Sequence, residues 1–207
     1  MLQAKNMILR DFKESDIEKR TYWETVETEW PRWDSPWEYE GLTGSEKAKR
    51  LVDLLKMIHG WLKRPLPDSV KRDRFEIEVR DSEPKYIGWV ASYYINEHFT
   101  YTQNKTGRCA VGIDIPDQSA RGKGYAYEAL RLYIDYLFAH GETEIYLQTW
   151  SGNERMFHIA ERLGFEECGR KKNLRVVRGR EYDWVTFRLD EEKYRTASVQ
   201  RAVEDLI

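Results

Sequence analysis

The stretch Val111 to Ala126, VGIDIPDQSARGKGYA, constrains this chain more than any other. It opens as a short apolar run, breaks at Pro116 and crosses a polar loop. It then reaches Gly122 and Gly124 at the mouth of a helix that continues through Tyr125, Ala126, Tyr127, Glu128, Ala129 and Leu130. Strand, glycine loop and helix N-terminus in that order make an anion site. The first backbone N–H groups of a helix have no intrahelical partner, and the helix dipole places partial positive charge there. Glycine removes the Cβ that would hold a ligand at a distance. The pattern predicts a phosphate-bearing ligand, although a glycine pair can also form nothing more than a tight turn.

Spacing narrows the ligand. Nothing matches the Walker pattern ending in Lys-Ser/Thr, so this is not a P-loop. The dinucleotide fingerprint G-x-G-x-x-G fails because Tyr127 stands where the third glycine belongs. Both common nucleotide classes drop out.

Composition bounds the remainder. At 207 residues one elaborated domain is expected over 1–207, with a core from about 7 to 190 and a polar tail over 194–207. Lys and Arg number 34 against 36 Asp and Glu, a balance that lacks the basic excess of a nucleic-acid or membrane-surface protein. Neither the roughly 20-residue apolar run of a membrane span nor the apolar segment of a signal peptide is found. Cys109 and Cys168 lie far apart and the four histidines are scattered, which makes neither a disulfide framework nor a metal spacing. The expectation is a cytoplasmic protein with no metal, no nucleic acid and no membrane among its partners; a homodimer stays open.

Along the chain, Met7-Ile8-Leu9-Arg10 reads as a first strand, followed by a helix from Ser15 to about Thr28. Two prolines interrupt the segment Trp30-Pro31-Arg32-Trp33-Asp34-Ser35-Pro36-Trp37. Its tryptophans Trp30, Trp33 and Trp37 either pin the loop to the core or line a pocket for an acceptor. Helical periodicity runs from Ser45 to Lys63, ended by Pro65 and Pro67. Phe75, Ile77 and Val79 alternate with Glu76, Glu78 and Arg80, a half-buried strand with its glutamates to solvent. After a turn at Asp81-Ser82-Glu83-Pro84, Ile87 to Ile95 returns as a hairpin. Glu97 to Gly107 is a loop, and Cys109 to Ile115 the strand that feeds the glycines. Then come a helix over Lys123–His140, a strand over Glu144–Trp150 and a helix over Asn153–Leu163 stopped by Gly164. A hairpin of Phe165–Val177 and Arg180–Leu189 about Gly179 closes the series. This order implies a mixed α/β sheet.

A family resemblance now enters. Arg121-Gly-Lys-Gly124-Tyr-Ala126 matches the R/Q-x-x-G-x-G/A signature of the GNAT-type, acyl-CoA-dependent N-acetyltransferases. Downstream, Asn153-Glu-Arg-Met156 followed by Ala160-Glu-Arg-Leu163-Gly164-Phe165 resembles that family's N-x-x-S/A…L-G-F segment. The segments 149–153 and 179–183, and the opening Ile8-Leu9-Arg10…Ser15-Asp16, are similar to the branch that includes ribosomal-protein N-terminal acetyltransferases. The resemblance implies an α/β fold with a largely antiparallel sheet and helices on both faces. It also implies acetyl-CoA as co-substrate and transfer of acetyl to a primary amine, of a protein N-terminus or of a small molecule.

Residue by residue, the resemblance gives the pyrophosphate to backbone N–H groups of Gly122, Lys123, Gly124, Tyr125 and Ala126, with Arg121 at the loop's entrance. Ile113 and Ile115 would offer their backbone to the pantetheine. Asn153 would face the pantetheine or acetyl end, and is equally a good N-cap for its helix. Two departures follow. The family's acid tyrosine falls at Ala160, and its base glutamate at Gln148, which cannot take a proton at neutral pH. Asp114, the one carboxylate inside the central strand, is the candidate base, because burial would raise its pKa towards a useful value; bracing the loop is the alternative. Glu76, Glu78 and His98 are weaker candidates. Catalysis without a base is compatible with placing a neutral amine against a thioester, since effective molarities reach ~10⁵ M or more. The missing pair also leaves open an acyl-CoA-binding regulator without turnover.

Overall fold

The computed structural model describes residues 1–204 except 28, 64, 65, 68, 81 and 82, and for 198–204 the backbone alone. In chain order the elements are β1 Leu2–Ala4, β2 Met7–Arg10, α1 Ile17–Thr25, α2 Gly44–Lys63, β3 Arg74–Arg80, β4 Pro84–Ile95 and β5 Tyr101–Thr102. There follow β6 Arg108–Asp114, α3 Tyr125–Ala139, β7 Ile145–Trp150, α4 Glu154–Leu163, β8 Phe165–Val177, β9 Arg180–Leu189 and α5 Glu191–Glu204. The strands hydrogen-bond in the order β1-β2-β3-β4-β6-β7-β9-β8, with β5 on β4. The pairs β1–β2, β2–β3, β4–β5, β7–β9 and β8–β9 are antiparallel and β6–β7 is parallel, so the sheet is mixed and largely antiparallel. The expected fold class stands.

Two compact units make up the chain: Met1–Val90 with Ile113–Tyr125, and Ala91–Gly112 with Ala126 onward. In the first, β2 pairs β3 from Met7↔Val79 to Arg10↔Glu76, and all four residues of β2 are buried. A short 3-10 turn over Glu14–Asp16 leads into α1, which ends at Thr25; the expected end at Thr28 lies outside the described residues. So do the stop at Pro65 and the Asp81-Ser82 half of the turn before β4. Strand β1 was not expected from sequence; it pairs Leu2↔Leu9 across a tight turn.

One expectation is corrected here. Glu76 and Glu78 were read as solvent-facing, yet only 1% and 7% of their surfaces are exposed. Their charges are met by partners distant in sequence. Arg10 Nε donates to Glu78 Oε2 at 2.6 Å, and Arg74 Nε to Glu76 Oε1 at 2.6 Å. Tyr86 donates its hydroxyl to Glu76 at 2.5 Å. Arg10 also grips both oxygens of Asp16 at 2.6 and 2.8 Å, tying the start of α1 to β2. A buried carboxylate is tolerable only when paired and hydrogen-bonded in this way.

The second unit contains the parallel step. β6 runs alongside β7 from Cys109↔Ile145 to Val111↔Leu147, and a parallel pair needs a crossover, which α3 supplies. Leu130, Tyr133, Ile134 and Leu137 of α3 are fully buried, the 3.6-residue spacing that its sequence shows. α4 starts at the Asn153 cap and stops at Gly164, whose φ of +84° closes the helix in the left-handed region. Val177 faces Arg180 across a two-residue turn with Arg178 and Gly179 at φ +50° and +74°, the twist that a type I′ hairpin requires. The tail is helix α5, and Tyr194 anchors it, buried with its hydroxyl 2.7 Å from Asp135.

Asp117, at the start of the glycine loop, shows how the first unit holds that loop. Its carboxylate accepts from Ser119 N at 3.0 Å, Ser119 Oγ at 2.6 Å and Lys85 Nζ at 3.0 Å, and Lys19 Nζ lies 3.2 Å away. Burial alone would raise its pKa; these donors outweigh it and hold it at about 2. Because the folded pKa lies below the unfolded one, the stabilisation is complete above about pH 4 and is lost as pH falls through about 2. Asp117→Asn should therefore cost about 1–2 kcal/mol at pH 7, and less at pH 3, in urea unfolding. An equal cost at both pH values would contradict this account.

Candidate active site

The chemistry-bearing groups of the first unit gather around the end of β6. Asp114 is its last residue and is partly exposed. Burial pushes its carboxyl up to about 6, opposed by Arg20, Arg74 and a hydrogen bond from the Trp89 indole, and reinforced by Glu24. Arg20 lies flat on Trp89 at 3.4 Å and pairs with Glu24 at 3.0 Å. Arg74 covers Trp89 at 4.6 Å. Two cations and one indole thus check the rise that burial causes at Asp114.

Asp34 supplies the second carboxylate. Its acid form is favoured well beyond the usual range by burial, then by Asp114 and Glu38. Asp34 is nevertheless open to water along one side. Like charge is therefore the more secure cause, and solvent screens part of it. Tyr39 stays protonated because burial, Glu24 and Asp34 all push its phenol up. Asp34 thus feels the charges of Asp114 and Glu38, and Asp114 that of Glu24, with Arg20, Arg50 and Arg74 acting against them.

The glycine loop follows directly. Gly122 and Gly124 adopt φ of +75° and +82°, and a Cβ built on either meets no atom within 4 Å. Both glycines thus need the left-handed region and face open space, which fits close approach by a phosphate group. α3 begins at Tyr125, so the N–H groups of its first turn, Tyr125 and Ala126 among them, lie just beyond the glycines. Arg121 at the loop's entrance spends its fork on the loop itself. Nε donates to Ile115 O at 3.1 Å and Nη2 to Pro116 O at 2.9 Å, while Nη1 meets Glu29 and Nη2 lies 3.5 Å from Glu27. Lys123 is exposed, and Ile113 and Ile115 are partly exposed on either side of Asp114.

The three tryptophans divide. Trp30 is 5% exposed, donates its indole N–H to Trp23 O at 2.7 Å and packs edge-on against Trp89 and Tyr39. It takes the pinning role, since its ring and its one donor are already committed to the core. Trp33 and Trp37 remain partly exposed, with the Trp33 indole 3.3 Å from Glu29.

In the second unit, the Asn153 side chain accepts from Met156 N at 3.2 Å, so its capping role is present in the geometry. Gln148, at the position of the absent glutamate, donates to Phe99 O at 3.0 Å and Thr186 Oγ1 at 2.9 Å. Ala160 is fully buried. His98 is an exposed loop residue 3.5 Å from Glu97. Among the described residues no group of three His, Cys, Asp or Glu side chains is placed to hold a metal, and no helix is long and apolar enough to cross a membrane.

Residues 6–166 match the acetyltransferase (GNAT) domain model. The chain belongs to that family, as the loop and the Asn153–Phe165 segment had implied, and it is an acetyltransferase. No curated protein matches it in sequence. Among solved structures, spermidine N-acetyltransferase from Vibrio cholerae, in complex with CoA and spermine, is 21% identical over 91% of this chain and 98% of its own, with a TM-score of 0.62. A GNAT-family acetyltransferase from Bacillus anthracis is 15% identical over 92% and 98%, TM-score 0.64. The ribosomal L7/L12 alpha-N-protein acetyltransferase RimL, in complex with coenzyme A, is 14% identical over 89% and 94%, TM-score 0.61. At such identities the likeness is one of fold.

Sequence reasoning named Asp114 as a candidate and did not name the residues that set its acidity. Arg20 and Glu24 of α1, Asp34 and Arg74 come from three separate stretches, and only the odd placement of charges among the tryptophans of Trp30–Trp37 hinted at one of them. Arg20→Gln should lift the Asp114 pKa above about 6, because the largest charge opposing its burial is removed. Carboxyl NMR titration reads this directly, and an unmoved or lowered value would contradict the assignment.

Proposed function

We propose that this acetyltransferase moves acetyl from acetyl-CoA to the primary amine of a small cationic molecule, with Asp114 as general base. The cluster of Glu24, Asp34, Glu38 and Asp114 carries the reading. An ammonium is drawn to such a group, and a carboxylate poised at about 6 is mostly ionised at neutral pH yet basic enough to accept its proton. Losing that proton turns the ammonium into a nucleophile. Acetyl-CoA supplies the activated acyl group when bound: the thioester C–S bond breaks as the C–N bond forms, and CoA leaves as the thiol with the proton that the acylated nitrogen sheds.

The loop's part is binding. Backbone N–H groups from Gly122 to Ala126 face the pyrophosphate, Lys123 adds a mobile positive charge, and Arg121 keeps the loop in shape from its entrance. Ile113 and Ile115 offer backbone groups to the pantetheine. In the second unit, Asn153 caps α4 with its side chain. Trp33 and Trp37 flank the acceptor side, and their exposure favours a second reading in which a peptide N-terminus is the acceptor.

Thiol release from acetyl-CoA, measured across a panel of small amines and short peptides, tests the activity. Acceptor-dependent release is expected. CoA binding without release on any member would favour a regulator. In the same assay kcat/KM should rise through about pH 6 and then level. Asp114→Asn should flatten that rise and lower the plateau by about 10²-fold. An unchanged profile would remove Asp114 from the base role. Gly124→Val should abolish CoA binding in calorimetry with far-UV circular dichroism unchanged, because it strains a left-handed position and fills the space facing the phosphates. Unaltered affinity would refute the cradle.

A further inference from the structure

The first unit also holds a recess of about 340 Å³ that the chemistry above leaves unused. Trp23, Tyr39, Leu42 and Leu51 give it an apolar wall. Its charged lining is balanced, with Glu24, Glu27 and Glu40 alongside Arg32, Lys47 and Arg50. Several of these charges are already paired: Glu24 with Arg20 at 3.0 Å, Glu27 with Arg121 at 3.5 Å and Arg50 with Glu38 at 3.9 Å. Arg50 also covers the Tyr39 ring at 4.3 Å. The recess therefore offers apolar surface and almost no net charge, in contrast to the acidic cluster next to it.

The two are joined by an unbroken set of contacts. Glu24 on the recess wall binds Arg20, Arg20 stacks on Trp89 at 3.4 Å, and the Trp89 indole donates to Asp114. Tyr39, which also lines the recess, feels the charges of Asp34 and Asp114, so the recess lies next to these carboxyl groups.

We infer that the recess receives the apolar body of the acceptor, so that the substrate is a monoamine bearing an aromatic or branched aliphatic group. The inference rests on reading the site as an amine acetyltransferase and selects among its acceptors. Apolar surface rewards a ring or branched chain in proportion to the area it hides from water, and the volume lies at the lower end of the range for small-molecule pockets. A linear polyamine, by contrast, would carry a second ammonium against an apolar wall where desolvation opposes it, with Glu24 and Glu27 already engaged by Arg20 and Arg121. The ammonium of the monoamine stays with the carboxylates while its body occupies the wall.

The test measures thiol release from acetyl-CoA by the full chain with 2-phenylethylamine, 3-methylbutylamine, spermidine and a tripeptide amide. We expect kcat/KM for 2-phenylethylamine to exceed that for spermidine by about tenfold or more. Leu51→Trp, which fills the recess, should raise KM for 2-phenylethylamine by about tenfold with kcat little changed, while CoA affinity by calorimetry reports that the variant is folded. Should that variant fail to bind CoA, Leu51→Ala replaces it, and the larger recess should shift preference from 2-phenylethylamine towards a naphthyl-substituted ethylamine. Spermidine or the peptide turned over as well as or better than 2-phenylethylamine, or a KM unmoved by both variants, overturns this inference and leaves the acetyltransferase reading intact. No thiol release with any amine overturns both.

Discussion

The close approach of two backbones at Gly88 is the constraint on which the site depends. A Cβ there would lie 2.0 Å from the Asp114 carbonyl oxygen and 3.0 Å from the Ile115 Cα, so no other residue lets β4 and the end of β6 meet this closely. The residues around Gly88 exploit that contact. Lys85 donates to the Asp117 carboxylate, Ile87 O accepts from Asp117 N at 3.4 Å, and the Trp89 indole reaches the Asp114 side chain. A five-residue piece of β4 therefore grips the strand end and the start of the loop that carries Gly122 and Gly124. Position of Asp114 and shape of the loop share one origin.

Electrostatics act on this frame in two opposite ways. Arg10, Asp16, Glu76, Glu78 and Arg74 are buried or nearly so and engaged with one another, with Tyr86 or with Lys13, so that three cations and three carboxylates brace the unit without leaving net charge. The group around Asp114 is uneven: four carboxyl groups, of which Asp34 favours its acid form, contend with three arginines, one arginine lies flat on an indole, and one side remains wet. Such unevenness is what shifts a carboxyl pKa into a useful range. The near-zero net charge of the whole chain conceals both arrangements, since 34 and 36 opposite charges are sorted into local pairs and one local excess.

Much of the fold was legible because its elements are local. The two-residue turn at Arg178-Gly179, the Asn153 cap, the Gly164 stop and the apolar stripe of α3 each lie within a few residues of the signal that announces them. The glycine loop was legible for the same reason, and its likeness to the GNAT signature gave the family. The acidity of Asp114 was not. It depends on Arg20, Glu24, Asp34 and Arg74, whose separations in sequence reach some eighty or ninety positions, and periodicity shows which face is buried without showing what faces it. The same limit explains the misreading of Glu76 and Glu78: alternation looked like a solvent face because Arg10 and Tyr86, which satisfy them, arrive on other strands. Trp30 went unassigned because an indole can pin a loop or line a pocket, and only its bond to Trp23 O separates the two.

The central claim is that loop and base act on one molecule. A crystal structure of the protein bound to acetyl-CoA measures this most directly. The account predicts the pyrophosphate against the N–H groups of Gly122 to Ala126, and the thioester directed towards the end of β6, with room for an amine nitrogen within hydrogen-bonding reach of Asp114. A pyrophosphate held elsewhere, or a thioester directed away from Asp114, would contradict it.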